Sequence, residues 1–214
     1  AATGTGMLCN KYRGTSHRSL LPVVWQSCRS QAGTHKLLRM ISDIFKILAD
    51  VAGVDLDMLC CAAPNERDAI RIHSEGYPVI DVSLKELSPL PQERSTSAAL
   101  VRGIAARFSQ LGFPLCGFDA CITSNVLSGS GLSSSAAYEV LIGTIINHMF
   151  FDGKVSQPEI AMIGQYAENV FFGKPCGLMD QTASAVGNLV TIDFFEKDHP
   201  VIKPVAFDFA ACGH

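Results

Sequence analysis

The sequence predicts an α+β layered domain in which strands of a mixed sheet pack with helices. Two observations carry this. Apolar residues make up 48% and charged residues 17% of the 214-residue chain, so a packed core is readily supplied and general disorder is excluded. From about residue 40 onward, segments with an apolar period near two are interspersed with segments of helical period, the mark of mixed strands and helices. The net charge of -3 leaves no electrostatic footprint for nucleic acid. The apolar runs are broken by charges or glycine well short of the roughly 18 residues that span a bilayer. A soluble protein is expected, with no nucleic-acid and no membrane partner.

Met40 to Leu48 has apolar residues at helical spacing, and Val54 to Ala63 reads as a buried strand. A polar turn at Asn65–Asp68 leads to a second strand, Ala69 to His73, and the pair can close as a hairpin. Val79 to Leu84 alternates weakly, and Ser88 to Pro91 is a loop. A helix is predicted from Thr96 to Leu111, ended by Gly112 and Pro114. Phe118 to Ser124 alternates as a strand. A long helix fits 134–150, with Ala137, Val140, Leu141, Ile145 and His148 as its apolar stripe. Pro158 opens another helix, which carries Ile160, Ile163, Ala167, Val170 and Phe171 on one side. Leu189 to Phe195 is the last clear strand.

The start of the chain differs in character. Lys11, Arg13, Arg18, Arg29, Lys36 and Arg39 precede the first acidic residue, Asp43, and all 20 acidic residues follow. Three readings stay open: a transit-type leader, a basic arm for a polyanion, or a stretch joined from another reading frame. The last is preferred, and residues 1–52 are expected to be a separate segment, non-native or disordered. Eight cysteines contain no C-x-x-C pair, and buried reduced thiols are expected.

The segment most informative about chemistry is Asn125 to Ala137, which holds Gly129-Ser130-Gly131-Leu132-Ser133-Ser134-Ser135 between a strand and a helix. A helix start leaves N–H groups unpaired and carries positive potential, so polyphosphate is readily held there. Glycines allow close backbone approach, and serine hydroxyls can cap the helix, bond phosphate or ligate Mg2+. The loop is neither a Walker loop nor a dinucleotide fingerprint. On residue types alone, a Gly/Ser linker with an ordinary cap stays open. Likewise Glu168 reads as a surface residue bordering an apolar stripe, and Asp180 as a helix cap.

Gly129 to Ala136 resembles the second signature of the GHMP kinases, departing from it at Leu127, where a proline is usual. Cys176-Gly-Leu-Met-Asp-Gln181 and Gln165-Tyr-Ala-Glu-Asn169 are similar to galactokinase segments of that family. So are Asp55-Leu-Asp57, Ala63-Pro-Asn65, Ile72 to Tyr77 and Phe207 to His214. The resemblance implies the family's N-terminal domain over residues 53–214, a ribosomal-protein-like mixed sheet packed with helices. It implies ATP-dependent phosphorylation of the anomeric hydroxyl of galactose, in the cytoplasm, with ATP and Mg2+ as cofactors and galactose as the small-molecule partner. By the same resemblance Gly129, Ser130, Gly131, Leu132, Ser133, Ser134 and Ser135 bind ATP, and Ser135 and Glu168 hold the metal. Asp180 is the catalytic carboxylate, and Gly177 lies with it beside the sugar.

The family's first signature, with its Gly-Glu-His-x-Asp sugar grip, should stand before Asp55. Met40 to Asp50 does not match it. The chain also ends ahead of the family's C-terminal domain. Impaired transfer is therefore expected, because phosphoryl transfer depends on positioning. A non-catalytic sugar and nucleotide sensor on the same fold is the alternative.

Overall fold

The computed structural model describes residues 48–52 (backbone only), 56–126, 131–196 and 200–206. Among the described residues, seven strands and four α-helices run in the order β1 (Leu48–Ala52), β2 (Met58–Pro64), β3 (Ala69–Ser74), β4 (Ile80–Ser83), α1 (Ser97–Gln110), β5 (Phe118–Ser124), α2 (Ser134–Phe151), α3 (Gln157–Tyr166), α4 (Met179–Val186), β6 (Leu189–Asp193) and β7 (Val201–Val205). A single-turn 3-10 helix, Pro91–Glu93, precedes α1, and α3 runs directly into a π-helical segment, Ala167–Phe172.

The strands form two sheets. One is mixed, in the order β2-β5-β3-β4, with β3 parallel to β5 and the other pairs antiparallel. The other is antiparallel, in the order β1-β6-β7. The hairpin expected from β2 and β3 does not form, because β5 lies between them. The link at 65–68 passes the start of β5 so closely that a Cβ on Gly117 would overlap the Arg67 carbonyl. Asn65 ties this crossing together: its N–H donates to the Gly117 carbonyl at 3.0 Å, and its Nδ2 reaches Ala69 O and Asp119 Oδ1. Glycine at 117 is what lets a third strand enter between two sequence neighbours.

β3 and β5 alternate as strands with one buried face should. Ile70, Ile72, Phe118, Ala120 and Ile122 are buried, while Arg71, His73, Asp119 and Cys121 are exposed. Their apolar face shares one core with Ile104 and Phe108 of α1 and with Leu141, Ile142, Ile145 and Ile146 of α2. Each of these large side chains contributes roughly 1.5–3 kcal/mol by leaving water. Phe108 and Phe151 stack with centroids 5.7 Å apart. α2 lacks the one-sided stripe predicted for it. It is buried almost all round, as a helix covered by neighbours on several sides must be, and His148 is exposed instead of core-facing. Similarly, Val170 is 47% exposed, because the π-helical segment rotates it off the face shared by Ile160, Ile163 and Ala167.

Local chemistry fixes the helix starts. Thr96 Oγ1 accepts from Ala99 N–H ahead of α1. Ser156 and Glu159 form a reciprocal capping box before α3, with Pro158 in its first turn. Of the expected buried thiols, Cys60 is buried, whereas Cys61 and Cys121 lie on the open face of the mixed sheet. The helix predicted over Met40–Leu48 falls almost wholly outside the described residues, and Leu48 itself opens β1. The segment Phe207–His214 also falls outside them. β1 lies on the N-terminal side of residue 53 and pairs with β6. Among the described residues, no helix is long and apolar enough to cross a membrane.

Candidate active site

α2 begins where β5 and its following loop end, so the unpaired N–H groups of its first turn open toward the face where α4 also begins. Gly129 and Ser130 lie outside the described residues. Gly131 has φ +79°, and nothing stands within 4 Å of a Cβ built there; the demand for glycine is conformational. Leu132 packs against the main core. Ser133 occupies the cap position of α2 in the left-handed region, φ 55° and ψ 47°, and its hydroxyl makes no cap bond. A serine held this way uses its side chain elsewhere.

That hydroxyl donates to Asp180 Oδ2 at 2.6 Å. Asp180 is the second residue of α4, in its first turn, and Leu178 is the cap, so the carboxylate is not the N-cap that residue type alone suggests. Two residues along from Ser133, Ser135 Oγ donates to Glu168 Oε1 at 3.3 Å. Two segments remote in sequence thus bring one carboxylate each to two alternate serines at a single helix start. Ser134, between them, faces a cleft of about 650 Å3 that Ser135 also lines.

Glu168 is buried, with only 3% of its side chain exposed, which corrects the surface position its residue type suggests. Its Oε2 accepts from Gln181 Nε2 at 2.9 Å, and the same amide donates to Glu139 Oε2 at 3.0 Å. Lys174 Nζ reaches Glu168 Oε1 at 3.1 Å, and this contact raises the lysine's pKa. Burial first, then the Glu168 charge, pushes the Glu139 carboxyl up to about 9, so it is protonated and neutral at pH 7. Burial, reinforced by Glu168, likewise raises the Cys176 thiol to about 12, which makes it an inert thiol and not a nucleophile.

The loop that carries Gly177 is tied down through Cys176. Asn169 Oδ1 accepts from Cys176 N–H at 2.7 Å, and Gln165 Nε2 donates to its carbonyl at 3.2 Å. Gly177 follows with nothing within 4 Å of its Cβ position, leaving open space three residues ahead of Asp180. Sequence reasoning missed Glu139, Lys174 and the bridging role of Gln181. Glu139 had a signal, a lone acid in the apolar run Ala136–Ile146 four residues after Ser135.

Residues 99–188 match the family model described as GHMP kinases N terminal domain. Over these residues the chain is similar to a GHMP kinase N-terminal domain. The chain is 33% identical over 130 residues to a galactokinase of Clostridium tetani, which covers 60% of this chain and 33% of that protein. It is 34% identical over 154 residues to a galactokinase of Streptomyces coelicolor, covering 71% of this chain and 40% of that protein. The chain superposes on Lactococcus lactis galactokinase, solved with galactose, with a TM-score of 0.64 and 25% identity over 75% of this chain and 42% of that one. Methanococcus jannaschii mevalonate kinase shares the fold, with a TM-score of 0.62 and 17% identity over 77% of this chain and 50% of that one. The chain therefore spans less than half the length of the curated relatives it matches.

The oxygen donors at the start of α2 suit a hard divalent cation. Ser135 Oγ and Glu168 Oε1 stand 3.3 Å apart, close to the roughly 3 Å that separates neighbouring ligands around Mg2+ with metal–oxygen distances near 2.1 Å. Among the described residues no group of three or more His, Cys, Asp or Glu converges on one point. An ion here would complete its shell from water and phosphate, as Mg2+ commonly does.

Proposed function

We propose that this domain serves a galactokinase: it binds ATP and Mg2+ and directs the γ-phosphoryl group to the anomeric hydroxyl of galactose. The observation that carries the reading is the 2.6 Å contact between Asp180 and Ser133, which brings a carboxylate to the mouth of an anion-binding helix start.

The unpaired N–H groups opening α2, with the hydroxyls of Ser133 and Ser134, hold phosphate oxygens and meet the charge that develops on the transferred group. Gly129, Ser130 and Leu132 belong to the same binding loop. Asp180 accepts the proton of the sugar hydroxyl as its oxygen attacks the γ-phosphorus; the bond to the β-phosphate oxygen breaks and ADP leaves. Gly177 leaves room for the sugar beside Asp180. Ser135 and Glu168 would hold Mg2+, which when bound supplies charge neutralisation on the phosphates. Gln181 keeps Glu168 oriented, and neutral Glu139 spares the site a further negative charge.

The purine fits the 650 Å3 cleft that extends from Ser134 and Ser135 past Tyr138 and Leu100 to Tyr77 and Ser74. The Tyr138 hydroxyl is buried without a protein partner. Galactose, over other acceptors of the family, is supported by the Met179-Asp180-Gln181 neighbourhood and by the identity to two galactokinases. The domain is assigned to residues 53–214, which β1 joins through its pairing with β6, with the cytoplasm as its place of action. Turnover by this chain is slow, because Met40 to Asp50 lacks the sugar-gripping pattern.

A coupled ADP-release assay tests the reading. Galactose should raise ADP release weakly, and Asp180→Asn should abolish that rise while Mg·ATP binding persists. Stimulation by mevalonate in place of galactose, or a rise unaffected by Asp180→Asn, would contradict it. Turnover at the rate of a complete galactokinase would remove the claim of impairment.

A further inference from the structure

Lys174, in the link between the π-helical segment and α4, meets Glu168 twice. Its backbone N–H donates to the Glu168 carbonyl at 3.2 Å, and its ammonium donates to Glu168 Oε1 at 3.1 Å. Gly173, at φ +83°, also donates its N–H to that carbonyl, and the left-handed turn leads the lysine back across the carboxylate. The two carboxylate oxygens are divided between tasks. Oε2 is held from within by Gln181, while Oε1 receives both Ser135 and Lys174. The Glu168 side chain is 3% exposed and that of Lys174 is 63% exposed. The carboxylate is fixed; the lysine is free to leave.

We propose that Lys174 is a resident cation that occupies the Glu168–Ser135 position in the absence of a divalent ion, and that it sets the metal affinity of the site by competing for Glu168 Oε1. This rests on the reading of Ser135 and Glu168 as metal ligands. A divalent ion bound about 2.1 Å from Oε1 would lie within roughly 5 Å of an ammonium still paired to it, where like charges in a partly desolvated site repel strongly. Metal entry therefore sends the ammonium to solvent and breaks its ion pair. Removing the amine spares the incoming ion both effects.

Calorimetric titration of the full chain with Mn2+·AMP-PNP, and with AMP-PNP in EDTA, reads the metal's contribution as the ratio of the two dissociation constants. Lys174→Met should raise that ratio by on the order of tenfold, with an unchanged far-ultraviolet circular dichroism spectrum, and Lys174→Arg should keep the wild-type ratio. An unchanged ratio in Lys174→Met overturns the inference. So does an equal loss of affinity for both forms of the nucleotide, which would make the lysine a phosphate contact. Glu168→Gln separates the two levels. If it abolishes the metal's contribution while Lys174→Met fails to raise it, the inference falls and the metal site stands. If Glu168→Gln changes nothing, or if wild type binds neither form, both fall.

Discussion

Glu139 faces two other polar side chains in a place otherwise walled by helices. Its Oε2 accepts from Gln181, and its Oε1 has no partner. Burial and the nearby Glu168 charge raise its pKa from 4.5 to about 9, so the folded chain binds a proton that the unfolded chain releases above 4.5. The stability tied to this proton is fully present below pH 4.5 and is lost as pH rises through about 9. Glu139→Gln keeps the shape and cannot ionise. Urea unfolding between pH 5 and 9 should show wild type weakening as pH rises and the variant holding steadier; parallel curves would contradict this. Residue type alone could not reveal it, because a carboxyl in a helix is most often solvated. The apolar residues on both sides of Glu139 were the available sign.

At the level of elements, α1 is anchored by Arg102, which is 4% exposed. Its Nε and Nη2 make a paired contact with Glu93 at 2.7 Å each, and Nη1 donates to the carbonyls of Ser83 and Glu86. The guanidinium thus joins β4, the 3-10 turn and α1. Arg102→Ala strands Glu93 and the two carbonyls, and should cost about 3–5 kcal/mol in equilibrium denaturation; a loss below about 1 kcal/mol, as at a surface pair, would contradict it. The same helix crosses the π-helical segment at Gly103, where a Cβ would stand 2.7 Å from Ala167 Cβ. Gly103→Leu should therefore destabilise by about 1–3 kcal/mol or more, measured the same way. The helices and strands themselves were legible from period and caps: Thr96, Ser156 with Glu159, and Pro158 mark their starts by chemistry that acts within a few residues. The order of strands was not. Insertion of β5 between β2 and β3 depends on a glycine more than fifty residues from Asn65, and the neighbours of a strand leave no trace in its own period. The burial of α2 on several sides and the turning of Val170 outward were hidden for the same reason.

Across the whole molecule, the site is a meeting of three remote segments: the start of α2, the π-helical segment that carries Glu168, and the start of α4 that carries Asp180. The motifs announced each segment by residue type, but their convergence depends on how α3 and α4 pack against α2. In its supporting layer, only Glu139 left a sign in the sequence; the roles of Gln181 and Lys174 emerge from that packing. The central claim is that these segments make one phosphate and metal site. A crystal structure of the chain with Mg2+·AMP-PNP tests it most directly. The account predicts phosphates against the N–H groups of residues 131–136, an ion bonded to Ser135 Oγ and Glu168 Oε1, and Lys174 turned to solvent. Phosphates bound elsewhere, with Ser135 and Glu168 still joined to each other, would contradict it.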